Sequence, residues 1–143
     1  MSGERRLSFV DTNILVYAFE KGNSLKSQLA QNLLKELMDQ GRLQLSTQVL
    51  QELFVTLTRK KNPVCSTKEA LTALDELAAW PVRSIDFAAI RAAVELADRA
   101  IISFWDALIV VTAARSGAAV LYTEDLNDGQ EILGVRIVNP FTA

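Results

Sequence analysis

Strand-like and helix-like segments alternate along this chain, and the alternation predicts an α/β fold: one domain with a central parallel sheet covered by helices on both faces. The strand-like segments are short and almost uniformly apolar, as strands buried on both sides are. Two apolar segments each contain a single charge, an aspartate: Asp11 within residues 7–19 and Asp106 within residues 104–114. An open parallel sheet binds ligands outside the C-terminal ends of its strands, and that is where such charges have a use.

Residues 7–10 read as a buried strand that feeds, through Asp11-Thr12-Asn13, into a helix starting near Asn13. Ser24 is a suitable cap for the next helix, whose Leu29, Leu33, Leu34 and Leu37 recur at helical spacing up to about Gln40, with Gly41 ending it. A second strand spans 43–46. A helix over 47–60 follows and stops at Asn62-Pro63. Ser66 and Glu69 have capping-box spacing and open a helix to about Ala79, which Pro81 breaks before a strand at 82–85. Asp86 starts an Ala-rich helix to about Ala100. Ser103 starts the apolar helix around Asp106, and Gly117 ends it. Residues 119–123 and 135–138 complete the strands. No linker, repeat or second domain is visible, so residues 1–143 form one unit, with 1–6 a flexible N-terminal tail.

With 143 residues, half of them hydrophobic, the chain can bury a substantial core. One cysteine, Cys65, makes no internal disulfide, and without histidine a Cys/His zinc site is excluded. No secretion-type leader and no membrane-length apolar run stand out, so the chain reads as soluble and cytoplasmic. The net charge of −2 does not advertise a nucleic-acid binder, but setting aside Asp11, Glu52, Asp106 and Asp125 leaves the remainder at +2.

A carboxylate buried without a partner costs several kcal/mol, so Asp11 and Asp106 need pairing, protonation or a cation. Asp11 directly follows the first strand, and Asp125 follows the strand at 119–123. Asp106 lies in a first helical turn, near the positive end of the helix dipole, and Glu52 lies early in the helix after the second strand. All four can thus converge on one sheet edge. Blander readings stand beside this one. Asp11 fits a turn or N-cap, and Ser103 with Asp106 fits a capping box with Asp in place of Glu. Gln48, Glu52, Thr56 and Arg59 fit a solvated helix face. In the loop Thr123-Glu-Asp-Leu-Asn-Asp128, pattern alone does not choose among Glu124, Asp125 and Asp128.

Residues 9–17 (FVDTNILVY), 46–54 (STQVLQELF), 103–109 (SFWDALI) and 121–126 (LYTEDL) together resemble the PIN-domain ribonucleases, most closely the VapC-type toxins of bacterial toxin–antitoxin modules. The resemblance extends from about Leu7 to Phe141. It implies a small α/β domain whose acidic site carries over onto Asp11, Glu52, Asp106 and Asp125. Thr12, Asn13 and Thr123 would orient the site through hydrogen bonds. It further implies endonucleolytic cleavage of RNA leaving a 5′-phosphate, a separate antitoxin that inserts a segment into the active-site groove, and a homodimer.

A donor set of carboxylate oxygens favours Mg²⁺ or Mn²⁺, which acidify water and clamp phosphate oxygens. Lack of histidine argues against a His acid–base ribonuclease. Asp11, Asp106 and Asp125 are the expected metal ligands, with Glu52 a ligand or a positioner of the attacking water. Arg59, Lys60 and Lys61 form the one compact basic run and are candidate RNA contacts, although a helix C-terminus attracts such residues anyway. Arg5, Arg6, Arg42, Arg99 and Arg115 are further cations without a place in the pattern. Three other functions compete with the nuclease toxin: an RNA-processing nuclease with no antitoxin, a binding module whose acidic cluster is structural, and a receiver-like phosphoacceptor, which fits poorly.

Overall fold

The computed structural model describes residues 6–142, so most of the tail expected at 1–6 lies outside the described residues. The elements are β1 (Ser8–Val10), α1 (Thr12–Phe19), α2 (Leu25–Asp39), β2 (Leu43–Ser46), α3 (Thr47–Leu57), α4 (Thr67–Leu77), β3 (Val82–Arg83), α5 (Phe87–Ala100), α6 (Phe104–Arg115), β4 (Val120–Tyr122), β5 (Glu131–Ile132) and β6 (Val135–Val138). They form one sheet in the order β3-β2-β1-β4-β6-β5. β1 pairs in parallel with β2 and β4, β2 with β3, and β4 with β6. From β1 the chain winds outward through β2 to β3, then returns to the other side of β1 to lay down β4. The C-terminal ends of β1 and β4 therefore flank a switch point, where an open parallel sheet leaves a crevice.

Serine and aspartate caps start the helices. The Ser24, Ser46 and Ser103 hydroxyls and the Asp86 carboxylate each accept from a backbone N–H one turn in. Ser66 and Glu69 close a full capping box at α4. α6 is buried at every position from Ala107 to Ala113, which accounts for its apolar circumference, and it crosses β2, β4 and β6. Every residue of β1 is buried, as expected of a strand covered on both faces.

Two expectations need correcting. α3 ends at Leu57 rather than near Lys60, with Thr58 as its C-cap: the Leu57 carbonyl accepts from Val64 N and Cys65 N, so the chain folds back across the helix end. Arg59, Lys60 and Lys61 therefore lie past the helix. The sheet also has a sixth strand, β5, antiparallel to β6. Leu133 (φ 53°) and Gly134 (φ 78°) join the two through a two-residue turn with both φ positive, the geometry whose twist suits a hairpin. A strand of two residues carries no periodicity to read. Among the described residues, no helix is long and apolar enough to cross a membrane.

Candidate active site

Asp11, Glu52, Asp106 and Asp125 all line one cavity of about 710 Å³ outside the C-terminal ends of β1 and β4. They arrive from different elements. β1 ends at Val10 and delivers Asp11 as the N-cap of α1, while the loop after β4 supplies Asp125. The first turn of α6 supplies Asp106, and Glu52 lies in α3.

Asp11 is the most buried of them, at 6% exposure. Its Oδ1 accepts from Thr12 N at 2.7 Å and its Oδ2 from Thr123 Oγ1 at 2.8 Å. Burial pushes its carboxyl up to about 7. The hydrogen bonds from Thr123 and Thr12 resist that rise, and the nearby charges of Asp125 and Glu52 add to it. One Asp11 side chain thus both caps α1 and lines the cavity. Thr123 is the joint of this half of the site: while donating to Asp11, its hydroxyl accepts from Asp125 N at 3.1 Å and from Asn13 Nδ2 at 3.5 Å.

Glu52 is half-buried and held rather than solvated. Thr12 Oγ1 donates to its Oε1 at 2.9 Å. Gln48 Nε2 donates to Glu52 Oε2 and to the Trp105 carbonyl, both at 3.4 Å, so Gln48 ties α3 to the start of α6. In the sequence Gln48 shows only as part of a polar helical stripe; the bond to the residue before Asp106 spans 57 positions. Two buried oxygens in the cavity lining, Asn13 Oδ1 and Gln48 Oε1, have no hydrogen-bond partner among the described residues. An orphaned buried acceptor typically costs about 1–3 kcal/mol, a cost that a donor or a cation at these atoms would relieve.

At α6 the capping box is only half made: Ser103 Oγ accepts from Asp106 N at 3.0 Å, and Asp106 joins the cavity lining. Burial raises the Asp106 carboxyl, Ser103 counteracts that through hydrogen bonding, and the Asp125 charge raises it further. The neighbours of Asp125 are engaged elsewhere. Glu124 accepts from Lys26 Nζ and from the Tyr17 hydroxyl, each at 2.9 Å, and Asp128 accepts from Asn139 N at 2.8 Å and from Thr142 Oγ1. Asp125 is the acid of this loop whose charge is felt by both Asp11 and Asp106.

The other basic residues are mostly remote. Arg42 precedes β2, at the opposite edge of the sheet, where it donates to the Arg6 carbonyl at 2.7 Å. Arg115 closes α6 at the end away from Asp106 and pairs with Asp86. Arg59 lies past the end of α3, and its Nε is bound to the Asn62 carbonyl at 3.0 Å.

The profile of the PIN domain matches residues 8–127. The chain belongs to the PIN-domain family. Solved structures agree with this PIN fold. A toxin–antitoxin complex from Klebsiella pneumoniae aligns with TM-score 0.71 and 21% identity over 95% of this chain and 99% of that one. VapBC2 from Rickettsia felis, solved bound to a DNA fragment from the promoter, aligns with 0.65 and 23% over 92% and 96%. Mycobacterium tuberculosis VapC20, a sarcin–ricin-loop-cleaving toxin, aligns with 0.63 and 20% over 82% and 91%. No functionally curated protein matches the sequence.

The PIN family implies a divalent cation, and the donor chemistry here fits one. The lining supplies hard carboxylate and amide oxygens, two of them buried without partners, around carboxylates whose mutual repulsion a cation would relieve. Among the described residues, no three His, Cys, Asp or Glu side chains stand close enough together to hold a metal ion. The carboxylates thus share a cavity without forming a closed cage.

Proposed function

We propose that this PIN domain is a Mg²⁺- or Mn²⁺-dependent endoribonuclease and the cytoplasmic toxin of a toxin–antitoxin pair. The observation that carries this reading is the delivery of Asp11, Glu52, Asp106 and Asp125 from four separate parts of the chain to one cavity at the sheet's switch point. Asp11, Asp106 and Asp125, too far apart to cage an ion by themselves, would hold the metal in part through its bound waters, and Glu52 would either join them or position the attacking water. A bound divalent ion supplies acidified water and neutralises phosphate charge.

The remaining work falls to the protein's own groups. Thr123 donates to Asp11 Oδ2 and fixes which lone pairs face the cavity. Thr12 and Gln48 occupy both oxygens of Glu52 with donors and keep its carboxylate turned to one place. Asp106 lies in the first turn of α6, whose dipole favours its charged form against the rise caused by burial. The lining mixes these acids with the apolar Val16, Val55, Trp105 and Ile109, which suits an inhibiting antitoxin segment that is basic and apolar together. Exposed Phe87, Ile90 and Val94 form a stripe on α5 that supports a homodimer.

The test is cleavage of a mixed RNA pool by the purified, partner-free protein in Mg²⁺ or Mn²⁺, beside Asp11→Asn and Asp106→Asn. Metal-dependent cleavage lost in both variants supports the reading, and sequencing of the 5′-phosphate ends identifies the target. A folded protein that cleaves nothing in either metal, with calorimetry showing no metal uptake, would favour the binding-module alternative.

A further inference from the structure

An acidic cavity repels the polyanion it is proposed to cut. Asp11, Glu20, Glu52, Asp106, Glu124 and Asp125 all line it, and among the described residues no Lys or Arg does. Among the described residues, Lys26 is the one basic side chain with a hydrogen bond or ion pair to a lining residue. Its Nζ lies 2.9 Å from Glu124 Oε2 and 3.4 Å from the Tyr17 hydroxyl. The same ammonium sits 5.1 Å from the Tyr17 ring centroid and 5.3 Å from that of Phe141, and the two rings meet edge to face. Tyr17 in turn donates to Glu124 Oε1, which closes a small ring of contacts.

We propose that Lys26 is a substrate-positioning residue that holds a backbone phosphate of the RNA strand at the rim of the acidic cavity, an inference that rests on the nuclease reading above. The ammonium has three donors, of which Glu124 and Tyr17 take two. With the side chain 47% exposed, the third is open to solvent. Two aromatic faces hold the charge in place before any ligand arrives, so less side-chain freedom is lost on binding. The site is also close to the chemistry, because Glu124 immediately precedes Asp125. Pairing with Lys26 serves a second purpose: it withdraws the Glu124 charge from the path of the phosphates.

A purely structural ion pair predicts that removing either partner does the same harm. A phosphate anchor predicts opposite effects, since Glu124→Gln releases the ammonium while keeping an acceptor for Tyr17. Binding is read by fluorescence anisotropy of a fluorescein-labelled, random-sequence single-stranded RNA in Mg²⁺. All proteins carry Asp106→Asn so that the probe survives. Lys26→Ala is expected to weaken binding roughly 3- to 10-fold at low salt and to flatten the slope of log Kd against log salt by about 0.7. Lys26→Arg restores most of the loss, and Glu124→Gln tightens binding. With Asp106 intact, Lys26→Ala raises KM and changes kcat little.

Equal weakening by Lys26→Ala and Glu124→Gln, or no change in either, overturns the proposal. The two readings fail separately. Cleavage with an unaltered KM in Lys26→Ala removes the anchor and keeps the nuclease. Lys26-dependent RNA binding by a protein that never cleaves does the reverse.

Discussion

The helices α4 and α6 begin with the same local grammar, a serine followed three residues later by an acid, and they put it to different uses. At α4, Ser66 and Glu69 bond reciprocally on the surface and Glu69 also pairs with Lys21 at 3.2 Å. Hydrogen bonding from Ser66 N, the largest cause, holds the Glu69 carboxyl below its ordinary range. At α6, Ser103 caps the backbone of Asp106, but burial holds the Asp106 carboxyl above its ordinary range. The same spacing thus stabilises a helix in one place and presents an acid to a cavity in the other. The difference lies in what surrounds the third residue: open solvent and a lysine, or a helix buried along its length beside other carboxylates.

The largest expected contrast is in turnover. Asp106→Asn should lower kcat by roughly 100-fold or more, about 3 kcal/mol of barrier, whereas Glu69→Gln should leave RNA cleavage unchanged. Loss of cleavage in both would mean that the α4 box, too, serves the chemistry. A smaller contrast is in metal response. Mg²⁺ or Mn²⁺ well above its Kd should raise the Tm of the wild type and of Glu69→Gln by several degrees, and that of Asp106→Asn by much less. Equal shifts in all three proteins would place the ion elsewhere.

The pH dependence should carry opposite signs at the two kinds of acid. Asp11, moved from 3.8 to about 7, holds a proton in the folded state that the unfolded chain has released between those values. The metal-free protein should therefore lose stability as pH rises through that window, bear no Asp11 penalty below it, and bear the whole penalty above it. Asp106 contributes with the same sign. Glu69, depressed, contributes stability above its ordinary 4.5 that disappears as pH falls. Chemical denaturation from pH 4 to 8 checks this: Asp11→Asn should flatten the decline and exceed the wild type in stability at pH 8. The smallest effect is at the caps, where Ser66→Ala and Ser103→Ala should each cost about 1 kcal/mol. Only the second should also alter the pH–rate profile, because only Ser103 touches an acid of the cavity.

Much of this architecture was legible in the residues because its causes are local. Capping serines, the Gly117 stop and apolar strands announced the order of elements before β5, and the position of Asp11 directly after a strand announced the edge where the cavity lies. What stayed hidden depends on contacts between distant positions. Glu124, Asp125 and Asp128 look alike in sequence, and what distinguishes Glu124 is Lys26, 98 positions away. Gln48 was one polar residue on a helix face until the carbonyl before Asp106 gave it a partner. The end of α3 was misplaced because the Leu57 carbonyl takes its donors from Val64 N and Cys65 N, a return of the chain that the helical pattern of the sequence does not announce.

The two rims of the sheet carry a consequence for how this protein meets others. β3 ends one rim and β5 the other, and each is only two residues long. Neither offers the row of free backbone groups that lets a foreign chain extend a sheet, nor the template on which like molecules stack into fibrils. Sheet extension is thus disfavoured at both rims, and side chains on the helix faces and at the cavity mouth are the surfaces left to meet a partner. There a change in one residue can alter the choice of partner while the backbone stays as it is.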